Sequence, residues 1–183
     1  MSTLSHELSM DESEALSFAD ISRILSNRVK NLSVVYVDLI AHKGLYSPET
    51  ILGKHNVAAI LLTVVVPGGR TQQRHWTALI RLPRKGRDEY QFFDSLAMKW
   101  PVLTELLNDS GKFVAFLKKI NARPSTRQLQ EHIRKVRTCG AWVSVRAAKH
   151  QLTNAQFVHW ILSEKGTHPD RTIIKLCYLG LLT

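Results

Sequence analysis

The sequence predicts an α+β domain in which helices flank a central antiparallel sheet. Three observations carry this expectation. HNVAAILLTVVV, RHWTALIRL and EYQFFDSL are successive runs rich in β-branched and aromatic residues. The connections between them, PGGRTQQ (67–73) and PRKGRDE (83–89), are short and rich in turn formers, which favours an antiparallel meander. Helix-period patterns stand before and after the meander. With 183 residues and 44% hydrophobic content, the chain can bury one sizeable core and is expected to form one domain.

Residues 1–12, rich in Ser, Glu and Asp, read as a flexible acidic arm, with a single domain over 13–183. Leu16, Phe18, Ile21, Ile24 and Leu25 fall near helical spacing, which predicts an amphipathic helix over roughly 13–28. LSVVYVDLI (32–40) reads as a strand. LYSPETILGKH (45–55) reads as a loop in which Pro48 opens one helical turn. The apolar run VAAILLTVVV (57–66) is far too short to span a bilayer, so it reads as a buried strand and no membrane partner is expected. After the meander, VLTELL (102–107) is a short helical stretch. GKFVAFLKKI (111–120) places Phe113, Phe116, Leu117 and Ile120 on one face. Residues 125–135 are charged and fit helix or loop. CGAWVSVRAAKHQ (139–151) and TNAQFVHWILSEKG (153–166) are helical, with Thr153 or Asn154 as N-cap and Gly166 as C-cap. The run TIIKLCYLGLL fits either strand or helix.

Charge is the main compositional signal. The net charge is +10, and residues 1–20 hold five acids and no Lys or Arg. The remaining 163 residues carry 25 basic and 10 acidic groups, a surplus of 15. Such a surplus attracts polyanions, nucleic acid first among them, although no nucleic-acid-reading motif accompanies it. Arg81, Arg84, Lys85 and Arg87 form a basic hairpin tip. Lys118, Lys119, Arg123, Arg127, Arg134, Lys135 and Arg137 form a second cluster. A solvated face is the ordinary reading of both. Two cysteines 38 positions apart make no disulfide framework and no CxxC zinc pair, which implies a reducing compartment. The first residues lack the basic and apolar regions of a signal peptide, so a soluble protein is expected. The histidines show no metal-ligand spacing.

Three fragments carry chemistry. His75-Trp76 opens the second strand of the meander, and Asp94-Ser95 ends the third, so a hairpin brings their side chains onto adjacent strands. Cys139-Gly140 opens a helix. A cysteine protease needs a thiolate to attack, an imidazole to exchange its proton and a carboxylate to fix the imidazole. A helix start suits the thiolate, because unpaired N–H groups and the positive dipole end lower its pKa. Gly140 would let the main chain approach a substrate carbonyl, and the Cys139 N–H would serve an oxyanion hole. Each fragment alone is ordinary; their order, His then Asp then Cys-Gly, is specific. Cys177, within an apolar run, reads as core, and so does Trp160.

On HWTAL (75–79), YQFFDSL (90–96) followed by Trp100-Pro101, TCGAWV (138–143) and LSFADISRIL (16–25), the chain resembles the adenain-like cysteine proteases. These include adenovirus-type maturation proteases and relatives in polintons and other large DNA elements. More distantly, it resembles proteases that remove ubiquitin-like modifiers. The resemblance covers roughly 16–150 and implies a papain-like fold. It assigns Cys139 as nucleophile, His75 as general base then acid, and Asp94 as orienting carboxylate, with Trp76 shaping the site. Members usually place a Gln before the Cys to complete the oxyanion hole. At the usual spacing of six or seven, Ile133 or His132 stands here. Gln130 takes that role if the intervening loop is two residues longer, and His132 is a second candidate donor.

The function implied is a cysteine endopeptidase that processes capsid or core precursor polypeptides, in a virion or infected cell. No cofactor is required by the sequence, and the resemblance makes DNA an expected activating cofactor, bound by the basic surface. Two competitors stand beside it. One is an isopeptidase acting on ubiquitin or SUMO-like modifiers. The other is a non-enzymatic basic nucleic-acid-binding module.

Overall fold

The computed structural model describes residues 15–26, 32–42, 44–65, 72–131, 137–164 and 168–178. The arm of residues 1–12, the first residues of the 13–28 helix, His132 and Gly166 lie outside the described residues. Helix α1 (Phe18–Ser26) precedes strand β1 (Val34–Asp38), a 3-10 turn (Leu39–His42) and the single helical turn α2 (Pro48–Ile51). Strands β2 (Val57–Val65), β3 (Gln72–Leu82) and β4 (Glu89–Phe93) follow. Then come α3 (Trp100–Leu107), α4 (Lys112–Lys119), the two-residue strand β5 (Arg123–Pro124), α5 (Cys139–Ala148), α6 (Asn154–Ser163) and α7 (Pro169–Tyr178).

The five strands lie in sequence order, β1-β2-β3-β4-β5. The fold is α+β as expected, but the sheet is mixed rather than antiparallel. Only β2-β3 and β3-β4 are antiparallel; β1 runs parallel to β2, and β4 to β5. The cause is the length of the connections. Residues 39–56 and 94–122 are long enough to carry the chain back across the sheet, which parallel pairing needs and a hairpin does not. Pro124, which has no N–H to give a ladder, sits on the edge strand β5, where that loss is tolerated.

Strand β2 shows why its sequence is apolar without alternation. Val57, Ala59 and Leu61 join a core with α1, α5, α6 and α7, while Ala58, Ile60, Leu62 and Val64 join a second core with α2, α3 and α4. A strand covered on both faces has no polar side to show. Helix α1 buries Ile21, Ile24 and Leu25 against the first core, each worth about 1.5–3 kcal/mol by area removed from water. Its first turn is closed by Ser17 and Asp20, each side chain accepting the other's main-chain N–H. The ambiguous C-terminal run is helical over its described residues, since Ile173, Ile174 and Cys177 share one buried side.

Helix α5 is central: all ten of its residues are buried. Its far end is held by Arg146, fully buried, which donates to the carbonyls of Lys149 (3.0 Å) and Leu152 (2.8 Å) and to Asn154 Oδ1 (3.3 Å). Burial lowers the Arg146 pKa to about 9. The near end of α5, with Cys139, meets the sheet where β4 stops.

Candidate active site

Pairing between β3 and β4 ends at Ala78 and Phe93. Asp94 therefore leaves the sheet, while His75 remains paired to Leu62 of β2 on its other side. The edge left open beside His75 is filled by the turn that starts at Asp94. In that turn Asp94 Oδ1 accepts the N–H of Leu96 and Oδ2 that of Met98, both at 2.9 Å. The Asp94 N–H itself donates to Ser125 Oγ at 3.0 Å. The carboxylate is thus fixed before it meets the imidazole.

His75 Nε2–H donates to Asp94 Oδ1 at 2.7 Å, with both side chains buried. Nδ1 is the ring nitrogen left for the thiol, and the imidazole and Cys139 shift each other's titration. The structure therefore brings His75, Asp94 and Cys139 together. Their titration is coupled. Burial opposes the charge on each group, but the neighbours outweigh it. Asp94 and Cys139 raise the pKa of His75. Burial pushes the Asp94 carboxyl up, yet His75 and the N–H groups of Met98 and Leu96 hold it below the usual range. Burial likewise pushes the Cys139 thiol up, and His75 with the main-chain N–H groups of Trp76 and Gly140 brings it below the ordinary thiol value. The arrangement favours a thiolate–imidazolium pair braced by a carboxylate.

The start of α5 reinforces this. Its N-cap, Thr138, does not cap: its φ and ψ are −84° and 4°, and no side-chain bond reaches the first turn. Instead the Thr138 hydroxyl donates to Asp170 Oδ1. The first-turn N–H groups are thereby left without a cap oxygen, as an anion site requires.

Trp76 and Gly140 both have packing roles. The Trp76 ring is 3% exposed, its Nε1–H donates to the Leu16 carbonyl at 2.8 Å, and Phe18 meets it edge-on at 4.7 Å. Trp76 reaches Cys139 through its main-chain N–H. The space above the Gly140 Cα is occupied by Leu16, whose Cβ would lie 2.8 Å from an added Cβ, so packing requires a glycine here. Gly140→Ala is expected to destabilise the fold by about 1–3 kcal/mol through this overlap, offset by up to about 1 kcal/mol of helix propensity. Urea denaturation checks this, and an unchanged midpoint would refute it.

Gln130 is buried and bonded to Ser95, the residue after Asp94. Its Oε1 accepts from Ser95 Oγ at 2.7 Å, and its N–H donates to the Ser95 carbonyl at 3.0 Å. Two residues that sequence reasoning missed organise the surroundings. Ser95 is one. Asp170, fully buried, is the other: it accepts from Thr138 Oγ1, from Trp142 Nε1 at 2.7 Å and from the Glu131 N–H at 2.8 Å. Pro169-Asp170 signals a helix start in sequence, and nothing more.

Cys177 is fully buried, its thiol donating to the Ala141 carbonyl at 3.4 Å, and neither cysteine is in a disulfide. In the basic hairpin, Arg81 is not at the solvated tip: it donates to the His55 carbonyl at 2.8 Å. Arg84 and Arg123 pair with Glu89 at 3.6 and 3.3 Å. Arg134 and Lys135 of the second cluster lie outside the described residues. Surface cavities of about 360 Å³, beside Tyr46 and Lys112, and about 460 Å³, beside Tyr90 and Arg123, contain no triad residue. Among the described residues no helix is long and apolar enough to cross a membrane, and no His/Cys/Asp/Glu group could hold a metal ion.

No protein-family model matches the chain, and no curated protein is similar to it at a significant level.

Proposed function

We propose that this protein is a papain-like thiol hydrolase that cleaves peptide bonds through an acyl-enzyme on Cys139. The observation that supports it is the buried Asp94–His75 hydrogen bond beside Cys139, whose thiol the imidazole brings below its ordinary pKa at the uncapped start of α5. The Cys139 thiolate attacks the substrate carbonyl carbon, a C–S bond forms, and the carbonyl oxygen becomes an oxyanion. Protonated His75 then gives its proton to the leaving amine as the C–N bond breaks. Water attacks the thioester, His75 takes its proton, and the thiolate leaves again. Asp94 holds the ring through Nε2 throughout, so Nδ1 performs both proton transfers. The resemblance to adenain-like proteases points to capsid or core precursor polypeptides as substrates, with the basic surface available to DNA.

The test is carbamidomethylation by iodoacetamide, followed per cysteine across pH. Cys139 is expected to react selectively, with its rate midpoint below the ordinary thiol pKa of about 8.5, while Cys177 stays inert. As pH falls through the lowered pKa of Cys139, the thiolate is protonated and alkylation is lost. As pH rises through the raised pKa of His75, alkylation persists but hydrolysis falls, because the general acid is gone. Equal, slow reaction at both thiols would remove this reading. Steeply salt-dependent DNA binding with full function after Cys139→Ala would favour the non-enzymatic module instead.

A further inference from the structure

We infer that Leu16 is a positioning residue, which locks the Cys139 end of α5 onto β3 and so keeps the His75 ring and the Cys139 sulfur in register. This rests on the thiol-hydrolase reading above. Trp76 directly follows His75, Gly140 directly follows Cys139, and Leu16 touches both. Its carbonyl accepts the Trp76 indole N–H at 2.8 Å in a buried site. Its side chain lies on the Cα of Gly140: a Cβ placed there would meet Leu16 Cβ, Cγ and Cδ1 at 2.8, 3.3 and 3.4 Å.

The local sequence explains how one residue makes both contacts. Ser17 and Asp20 close the first turn of α1, and the helix ladder begins at the Ser17 carbonyl, which accepts the Ile21 N–H at 3.1 Å. The Leu16 carbonyl stands outside that ladder and is left for the indole. An apolar residue just before the cap packs back on the first turn of its helix, and Leu16 and Ile21 share one core. Gly140 has no side chain with which to anchor the start of α5, and the Thr138 side chain is turned to Asp170. Leu16 supplies the apolar contact that position 140 lacks. On β3, Phe18 meets the Trp76 ring edge-on at 4.7 Å, which fixes the indole from a second side.

Leu16 thus ties the residue after the general base to the residue after the nucleophile. A displacement of about 1 Å between reacting groups can cost about 10²-fold in rate, so a tie at this end of the two elements bears on catalysis as well as on stability. The titratable groups coupled to Cys139 are His75 on β3 and, through it, Asp94 in the turn after β4. When α5 drifts from β3, the imidazolium no longer offsets the burial of the thiolate, and the thiol pKa rises.

The experiment follows iodoacetamide alkylation of Cys139 and hydrolysis of p-nitrophenyl acetate across pH in the full chain, with thermal unfolding alongside. Leu16→Ala is expected to move the alkylation midpoint upward by about one pH unit, a loss of about tenfold in rate on its acid side. Cys139-dependent kcat/KM should fall by about 10–100-fold. Leu16→Met keeps a side chain of similar volume and should retain the wild-type profile. Leu25→Ala removes the same apolar group from the same core; it should lower Tm as Leu16→Ala does, yet leave the alkylation midpoint in place. Trp76→Phe breaks the tie at its other end, so it should shift the midpoint alike. Combined with Leu16→Ala it should add less than about twofold to the loss of kcat/KM, because a tie already broken has little more to lose. Where Leu16→Ala does not fold, Leu16→Val shortens the side chain by less and should shift the midpoint in the same direction.

A lowered Tm with an unmoved midpoint in Leu16→Ala, an equal shift in Leu25→Ala, or additive losses in the double variant would each overturn the inference. If wild type shows no Cys139-dependent hydrolysis, the thiol-hydrolase reading fails and takes this inference with it. An active wild type whose midpoint does not respond to position 16 overturns only the role of Leu16.

Discussion

Alanine at His75 is expected to lower peptide or ester hydrolysis by roughly 10²–10⁴-fold, the usual worth of a positioned acid–base group, and to slow alkylation of Cys139 near neutral pH. Both effects follow from the coupling of the imidazole with Asp94 and the Cys139 thiol. Without the imidazolium, the thiolate keeps only the main-chain N–H groups of Trp76 and Gly140 against the cost of its burial, so its pKa rises. Asp94→Asn separates the two contributions. An amide keeps part of the turn geometry, since one oxygen still accepts a main-chain N–H, but it no longer holds a positive imidazole. Hydrolysis should fall while the fold persists. Rates of both reactions across pH, for wild type, His75→Ala and Asp94→Asn, are the measurement. A His75→Ala protein that alkylates at the wild-type rate at pH 7 would show that the thiol does not depend on the imidazole.

The second large effect is on stability. Asp170→Ala is expected to cost roughly 3–5 kcal/mol, because the Thr138 hydroxyl, the Trp142 indole and the Glu131 N–H lose their acceptor together in a buried site. Leaving each buried donor unpaired costs about 1–3 kcal/mol. For a chain of this size that corresponds to a fall in Tm of roughly 6–20 °C. Asp170→Asn should fall between, since its oxygen still accepts while its NH₂ opposes one of the three donors. The released Thr138 and Glu131 also loosen the two ends of the segment before Cys139, so activity should fall in the Asn protein at temperatures where it is folded. Thermal unfolding of the three proteins decides this. A Tm within about 2 °C of wild type after Asp170→Ala would mean that water or relaxation satisfies the donors.

Much of this molecule is readable from short windows. The strands, the turn at Pro48, the Thr153 cap with its Gln156 partner, the buried faces of α1 and α4, and the start of α5 at Cys139 follow from periodicity, turn chemistry and capping. These act over a few residues. The His-Asp-Cys order was legible for the same reason: the meander places position 75 on β3 and position 94 directly after the end of its neighbour β4. The parallel edges of the sheet were not legible, because direction depends on where residues 39–56 and 94–122 run rather than on what β1 or β5 contain. The packing of the Trp76 ring was not legible either, because its indole bond to the Leu16 carbonyl, 60 residues away, cannot be seen from a dipeptide.

By itself, the sequence determined most element types and the order of the three groups proposed for thiol chemistry, since each depends on local composition. Only the tertiary structure decided that β2 is covered on both faces by two cores, why position 140 must be glycine, and that Ser95 and Asp170 hold the segment before Cys139. Asp170 meets its three donors across 28 to 39 residues of chain. Such bonds exist only after the helices have packed on the sheet, because closing loops of that length has no local driving force of its own.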